Sequence, residues 1–511
     1  MNGSDEVVIG VDIGTTATKV IAYDASGASR ASASTDYRLR EPEPGAAVQD
    51  PHEVAAAVRG GVRAVVRQLD GVRVAGLSFS SAMHSLLGLD RGGNPLTPLI
   101  TWADTRAAAQ ADRLHDEGRA LDLQKRTGTP VHPMSPLVKL MWLRETDPEL
   151  HGRAVRWDGI KEFVLGRWCG SDVTDHSVAS ATGMLALDTL DWDAEALELA
   201  GITRDRLPEP VPVTTVIRTL TTDAAAELGL PAGTPVVVGA SDGPLANLGI
   251  GAVHPGQTAC SIGTSAALRV IVEKPAVDEN GGVFCYAFVP GRYVVGGALN
   301  NGGVVLDWLG DALAPELGED SEGEMAELAA TAPPGSAGLL MLPYLLGERA
   351  PHWSSLPRGA YVGLTRAHRR EHLARAALEG VCLQLSLVLA SMDAAGIEVR
   401  QLRATGGFAR SPFWRQLLAD VLGVPVNFPT GHEGSAFGAA LLGMEALGLV
   451  DSIDRAADLV RIESTLDPDP LRAELYRQLR PVFGDLFDRL TPTFRELRRL
   501  APLLAADPSA R

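Results

Sequence analysis

At 511 residues the chain is longer than one ordinary hydrophobic core supports, so two or three domains are expected. Hydrophobic residues make up 45% and charged residues 21%, the balance of a soluble globular protein. The net charge of −17 argues against nucleic acid as a partner, since phosphate backbones need a basic surface; it leaves room for a small anionic substrate held by a few local cations.

Three further readings concern the compartment. Cys169, Cys260, Cys285 and Cys382 lie far apart with no Cys-x-x-Cys pair, which indicates neither a zinc cluster nor a disulfide framework. No stretch approaches the roughly 20 uninterrupted apolar residues of a membrane span. The opening MNGSDEVVIG lacks the basic start and apolar segment of a signal peptide. A cytoplasmic protein with no membrane partner is the expectation.

The elements, in chain order, begin with a β-rich run at Val7–Ile13, a Gly14-Thr15-Thr16 turn and a returning strand at Ala17–Asp24 that ends in Ala25-Ser26-Gly27. Pro51–Leu69 carries helical periodicity, Val72–Phe79 and Leu86–Asp90 read as strands, and Ala103–Glu117 reads as a second helix. Another apolar strand, Pro235–Gly239, follows. Mixed strands and helices over this length give an α/β layered fold.

The opening pattern then returns. Thr258–Ile262 leads into Gly263-Thr264-Ser265, and Ala266–Val272 runs out again, so that Ile13-Gly14-Thr15-Thr16-Ala17 aligns with Ile262-Gly263-Thr264-Ser265-Ala266. Glycine lets backbone N–H groups approach an anion closely, threonine hydroxyls add donors, and Lys19 adds charge; Asp12 at the strand end could hold Mg²⁺ through water. One copy reads equally well as a plain hairpin turn, but two copies in the same setting favour phosphate binding. No G-x-x-x-x-G-K-(S/T) occurs, and Gly249-x-Gly251 lacks the third glycine of a dinucleotide loop, so both of those nucleotide folds are excluded. The periodicity breaks near Gly251–Pro255, which divides the chain into residues 1–252 and 253–450, followed by an Arg- and Leu-rich stretch at 451–511 that reads as amphipathic helices and leaves room for a homodimer contact.

Three clusters complete the candidate site. Asp242, in Gly239-Ala240-Ser241-Asp242-Gly243, stands at the mouth of a buried strand and could orient a substrate hydroxyl and take its proton. Met83 and His84 follow a strand, with Trp102 and Asp104 nearby in sequence, a set suited to a sugar or polyol. Gly406 and Gly407, before Ser411 and a helix at Pro412–Leu422, could let a flat adenine ring lie on backbone.

Together these residues resemble the FGGY carbohydrate kinases. The resemblance rests on DIGTTATK, MSPLVKLMWLRE, GASDG, SIGTS, PYLLGERAP and TGGFARS, and extends to about Gly443. It implies two actin-like (ribonuclease H-like) ATPase domains with a cleft between them, using ATP and Mg²⁺ on a small sugar or sugar acid. It further implies Asp242 as general base, Asp12 at the metal, and Gly14, Thr15, Thr16, Lys19, Gly263, Thr264 and Ser265 at the phosphates. Gly303, Asp307, Gly407 and Ser411 fall at the nucleotide, and Met83 and His84 at the acceptor. Asp307 stands where some members have Gln. SSAMHSLL, TGTPVHPMSPL, DHSVASATG and NNGG are most similar to the family's gluconate-phosphorylating members, for which His84, Lys161, Arg106 and Arg349 are the cations available to a carboxylate. Xylulose-phosphorylating members also carry a Met-His pair, usually followed by Gly where Ser85 stands here. An actin-like or chaperone-type ATPase is the alternative from another class.

Overall fold

The computed structural model describes residues 6–316, 321–430 and 434–505. Residue contacts divide the chain into two compact units. One holds the chain up to Pro255, Arg269–Val295 and Thr430–Arg461; the other holds Gly256–Leu268, Gly296–Pro429 and the chain from Ile462 onward.

The first unit is built on a six-stranded sheet. Its strands are β1 (Glu6–Ile13), β2 (Ala17–Tyr23), β3 (Ser29–Asp36), β4 (Arg73–Ser81), β5 (Val216–Ile217) and β6 (Val236–Ser241), in the order β5-β6-β4-β1-β2-β3. Strands β1, β4 and β6 are mutually parallel, while β2 and β3 fold back antiparallel beside β1. Alternation along β1 sends Val7, Ile9 and Val11 into one core with Val54, Val58, Val62 and Val65 of helix Pro51–Gln68. That helix starts where the sequence says it should, because the Asp50 side chain accepts from the N–H groups of His52 and Glu53 and Pro51 occupies the first turn.

The opposite face of β1 meets helix Gly434–Ala446. The approach is close: a Cβ on Gly10 would lie 2.1 Å from the Ala436 carbonyl oxygen, and one on Gly438 would lie 2.1 Å from that of Leu245. Small residues thus let this helix clamp both β1 and helix Asp242–Gly249, although it comes nearly 200 residues after the latter.

Strand β6 carries a bulge. Val237 pairs with Ser78 but Ala240 with Ser80, so one extra residue is inserted opposite β4. Gly239 absorbs it with φ of 80°, and a Cβ there would fall 1.8 Å from the Phe79 carbonyl oxygen. The extra residue changes the face on which the following side chains emerge, just before Asp242.

Strands β7 (Gln257–Ile262), β8 (Ala266–Val272), β9 (Tyr293–Leu299), β10 (Gln401–Thr405), β11 (Val426–Pro429) and β12 (Ile462–Leu466) run in the order β9-β8-β7-β10-β11-β12 in a seven-stranded sheet whose remaining strand, Phe284–Ala287, pairs with β9; β8 from Arg269 on and β9 up to Val295 belong to the first unit, the other strands named β7 to β12 to the second. Helix Arg370–Ala394 is long and apolar enough to cross a membrane, but most of it is buried within the protein, as in a core helix. It carries a buried carboxylate, Glu379, which accepts from Arg375 (2.8 Å), Tyr476 (2.6 Å), Ser336 (2.9 Å) and the Gly335 N–H (2.9 Å). Through Tyr476 this network docks helix Pro470–Ala505.

Two expectations change. The helix expected at Ala103–Glu117 begins only at Ala108, because Asp104 turns inward to accept from the Ala47 N–H and from Arg106 instead of entering a helical turn. The stretch after Asp451, expected to be helical, includes strand β12, which pairs antiparallel with β11.

Replacing Gly239 by Ala should destabilise the protein by at least about 2 kcal/mol, since it adds both an unfavourable φ and a backbone clash. Denaturant unfolding of the variant against wild type measures this.

Candidate active site

Three parallel strands of the first unit end side by side, the place where open α/β sheets bind ligands. In register, Asp12 lies beside Ser80 and Ser80 beside Ala240; one residue on, Ile13 lies beside Ser81 and Ser81 beside Ser241. The Ser80 hydroxyl donates to Asp12 Oδ1 at 2.7 Å, and Lys19 pairs across from Asp12 on β2. Asp12 and Lys19 are both half-buried.

The Gly14-Thr15-Thr16 turn between β1 and β2 is closed by Gly14 N–H donating to the Ala17 carbonyl at 3.0 Å. Its carbonyls are tied from behind: the Tyr37 hydroxyl donates to Gly14 O at 2.6 Å, and Gln49 Nε2 to Thr15 O at 2.6 Å. Trp102 Nε1 donates to Thr15 Oγ1 at 2.9 Å, and Thr16 is exposed. A small cavity of about 10 Å³ lies here, with Gly14, Thr15, Gln49, Met83 and Trp102 in its wall.

Asp242 is the first residue of helix Asp242–Gly249, directly after β6, and is half-buried, with its Oδ1 accepting from the Gly243 N–H at 2.8 Å. Ser241 stands at the N-cap but does not cap its own helix. Its hydroxyl is 2.6 Å from Ser177 Oγ, in the short helix His176–Ser180 that Asp175 caps by accepting from the Ser177 and Val178 N–H groups. Asp175 in turn pairs with Lys161, and Lys161 also donates to the Val238 carbonyl at 3.3 Å. Burial works against the Lys161 charge, but the Asp175 carboxylate outweighs it and holds the ammonium above its ordinary pKa. A buried ion pair thus anchors the strand end that presents Asp242.

Met83 and His84 follow β4. His84 adopts φ of 64° and is buried; its Nδ1 donates to the Ala181 carbonyl at 2.6 Å, and the Tyr286 hydroxyl lies 3.4 Å from Nε2. Beneath the loop, Lys139 Nζ donates to the carbonyls of His84 (2.6 Å) and Thr101 (2.7 Å), and burial pushes its pKa down to about 7. Asp104 is buried, with both oxygens engaged by Arg106.

The second unit gathers its own set. Strands β7 and β8 are joined by Gly263-Thr264-Ser265, closed by Gly263 N–H to Ser265 O at 2.9 Å, with Gly263 and Thr264 exposed. The N–H groups of Gly302 and Gly303 strap this turn from the side, donating to Thr264 O (3.0 Å) and Gly263 O (2.6 Å). That strap is held by Glu348, which accepts from the Asn300 N–H (2.7 Å), the Arg349 N–H (2.9 Å) and Asn301 Nδ2 (3.0 Å). Burial raises the Glu348 pKa to about 7. Gly406, at φ of 121°, is pressed against the end of β7, where a Cβ would meet Ile262 O at 2.0 Å. Ser411 caps helix Pro412–Leu422. Asp307 is exposed on helix Val304–Leu313, and its pKa is raised by burial and by the charge of Asp311.

Within the first unit the structure therefore brings together Asp12, Lys19, the first loop, Met83, Trp102 and Asp242. Within the second it gathers Gly263–Ser265, Gly303, Gly406, Gly407 and Ser411. Asp104 and His84 are both buried. Tyr37 and Gln49 support the site without any local motif to reveal them; Ser177, Lys139 and Glu348 lie inside the DHSVASATG, MSPLVKLMWLRE and PYLLGERAP stretches, whose pattern did not reveal their supporting roles.

Family comparison agrees with this geometry. The N-terminal domain of the FGGY family of carbohydrate kinases matches residues 7–249, and its C-terminal domain matches 258–447. A gluconokinase of Bacillus subtilis is 42% identical over 487 residues, 94% of this chain and 95% of that protein. A xylulose kinase of Staphylococcus epidermidis is 31% identical, covering 94% and 96%. The crystal structure of gluconate kinase from Lactobacillus acidophilus matches with a TM-score of 0.92 at 36% identity, over 96% of this chain and 99% of that one. The chain belongs to the FGGY family of carbohydrate kinases. It is an ATP-dependent sugar kinase with the two-domain α/β fold of that family.

Two measurements follow from the supports. Lys161→Met leaves the Asp175 carboxylate buried opposite an apolar chain, and should cost about 3 kcal/mol in denaturant unfolding. Glu348 binds a proton more tightly folded than unfolded, so its contribution to stability is present below pH 4.5 and is lost as pH rises to about 7. Glu348→Gln should remove that slope, seen by comparing unfolding free energies of both proteins across this range.

Proposed function

We propose that this kinase transfers the γ-phosphoryl group of MgATP to the 6-hydroxyl of D-gluconate, giving 6-phosphogluconate and ADP, with Asp242 as general base. The observation that carries the reading is the position of Asp242. It is held by its neighbours at the end of a buried strand, in the row that also ends in Asp12 and beside the Met83 loop. The acceptor follows from relatives over nearly the whole chain that are named for gluconate.

Asp242 orients the acceptor hydroxyl and takes its proton as oxygen attacks phosphorus. Thr15, Thr16 and Lys19, with Thr264 and Ser265, offer N–H, hydroxyl and ammonium donors to phosphate oxygens, while Gly14 and Gly263, whose N–H groups close the turns, let the loops come close to the phosphates. Gly303, Asp307, Gly406, Gly407 and Ser411 hold the nucleoside. Met83, His84 and Trp102 shape the acceptor pocket. Asp104 acts from behind it, by fixing Arg106 and the Ala47 backbone.

The donor set suits Mg²⁺. Among the described residues no group of three His, Cys, Asp or Glu side chains forms a cage, and Mg²⁺ in kinases takes one or two carboxylates, with water and phosphate oxygens completing its shell. Asp12, fixed by the Ser80 hydroxyl, would be its protein ligand. When bound, MgATP supplies the phosphoryl group and the cation offsets its charge.

Asp242→Asn should lower kcat by at least about 100-fold while ATP binding persists. Near-normal turnover in a folded variant would sink the assignment. A coupled ADP assay over gluconate, xylulose and glycerol should show gluconate preferred by kcat/KM; ADP release at full speed with no acceptor present would favour an ATPase instead.

A further inference from the structure

The two copies of the repeated loop have the same pair of carbonyls tied. In the first, the Gly14 carbonyl accepts from the Tyr37 hydroxyl at 2.6 Å and the Thr15 carbonyl from Gln49 Nε2 at 2.6 Å. In the second, the aligned carbonyls of Gly263 and Thr264 accept from the Gly303 N–H at 2.6 Å and the Gly302 N–H at 3.0 Å. A trans peptide is planar, and its C=O and the following N–H point in opposite directions. A tie on the carbonyl therefore turns the next N–H to the other side. The amides set in this way are those of Thr15 and Thr16 in one loop and of Thr264 and Ser265 in the other, which are the same aligned positions. Among the described residues none of these four N–H groups donates to a protein acceptor. Thr16 and Thr264 are exposed, and Thr15 and Ser265 are half-buried.

The ties themselves are unrelated. Those of the first loop are two buried side chains, and the Tyr37 oxygen also accepts from Thr18 Oγ1 at 3.3 Å, which leaves its proton for Gly14. The second loop is tied by the main chain of a strap that passes very close. A Cβ on Gly302 would lie 2.7 Å from Gly263 O and 2.7 Å from Ser265 O. Backbone N–H groups need partners, and packing alone does not require two different sets of ties to leave the same donors open.

We propose that Tyr37 and Gln49 are positioning residues for the nucleotide. By turning the Gly14–Thr15 and Thr15–Thr16 peptides they aim two main-chain N–H groups at the polyphosphate, and the Gly302-Gly303 strap does the same for the second loop. This rests on the phosphate reading of both loops given above. Tyr37 and Gln49 act through a peptide plane and do not touch the nucleotide. Their contribution goes to the phosphates, so adenosine, which has none, should not sense it.

Calorimetric titration of the full chain with two probes tests this: adenosine, and an ATP analogue with an imido bridge between its β- and γ-phosphates, both with Mg²⁺ present. Gln49→Leu should weaken the analogue about 10-fold or more, the loss of one hydrogen bond to a charged oxygen, and leave adenosine within about twofold. Tyr37→Phe removes only a hydroxyl, covers the case in which the leucine variant does not fold, and should weaken the analogue in the same selective way. Gly302→Ala displaces the strap and should do so from the second loop. Binding of the analogue at wild-type strength in Gln49→Leu and Tyr37→Phe, or an equal loss for both probes, would overturn the proposal, because the ties would then serve only the fold. If wild type binds the analogue no more tightly than adenosine, the phosphate reading itself has failed, and that outcome is visible before any variant is made.

Discussion

Strand β6 cannot leave its sheet in ordinary register, because Gly239 is pressed onto the Phe79 carbonyl with a backbone conformation that side chains resist. The bulge this creates resets which way the last residues of the strand face, and helix Asp242–Gly249 starts at once. Ser241, placed where a helix cap would normally sit, is recruited instead by Ser177, and the Lys161–Asp175 pair backs that contact. The position of one carboxylate thus depends on a chain of contacts running through β6, helix His176–Ser180 and helix Ile160–Cys169. Helix Gly434–Ala446 closes it from the other side.

Buried charge in this protein is used as framework. Lys161, Asp104 and Glu348 are each buried in contact with backbone or an opposite charge, and each fixes a loop or strand end that carries a half-buried or exposed polar group. Lys139 does the same with two carbonyls, holding the His84 and Thr101 loops together. Such groups cost desolvation, and they repay it in position: a buried donor or acceptor with its partners satisfied has few alternative arrangements. The residues left toward solvent are Thr16, Gly263 and Thr264 at the loop tips, with Met83, Trp102 and Asp242 half-exposed near the first of them.

The repeated loop shows how far local pattern reaches. Both copies form strand, turn and strand at the expected residues, and both expose their apex. Yet the first closes from Gly14 to Ala17 and the second from Gly263 to Ser265, and they are tied by unrelated partners: Tyr37 and Gln49 for one, the Gly302-Gly303 strap for the other. Helix starts were read correctly at Asp50 and Ser411, where a side-chain cap supplied the signal, but the capped starts at Ser135, Asp193 and Thr221 were not read. They were misread at Ala103, where Asp104 found a distant backbone partner in Ala47.

The sequence by itself determined the two Ile-Gly-Thr loops, the strands that carry them, the absence of the P-loop and dinucleotide-loop motifs, and the family. Each of these depends on residues within a few positions of one another, where backbone preference and spacing are sufficient. Only the tertiary structure decided that Thr430–Arg461 packs with the first unit, that Glu348 supports the second loop and that Arg269 and Met83 meet over Gly243. Those are contacts between residues about 45 to 400 positions apart. They come from close approach at glycines and from buried polar pairing, neither of which leaves a periodic trace along the chain.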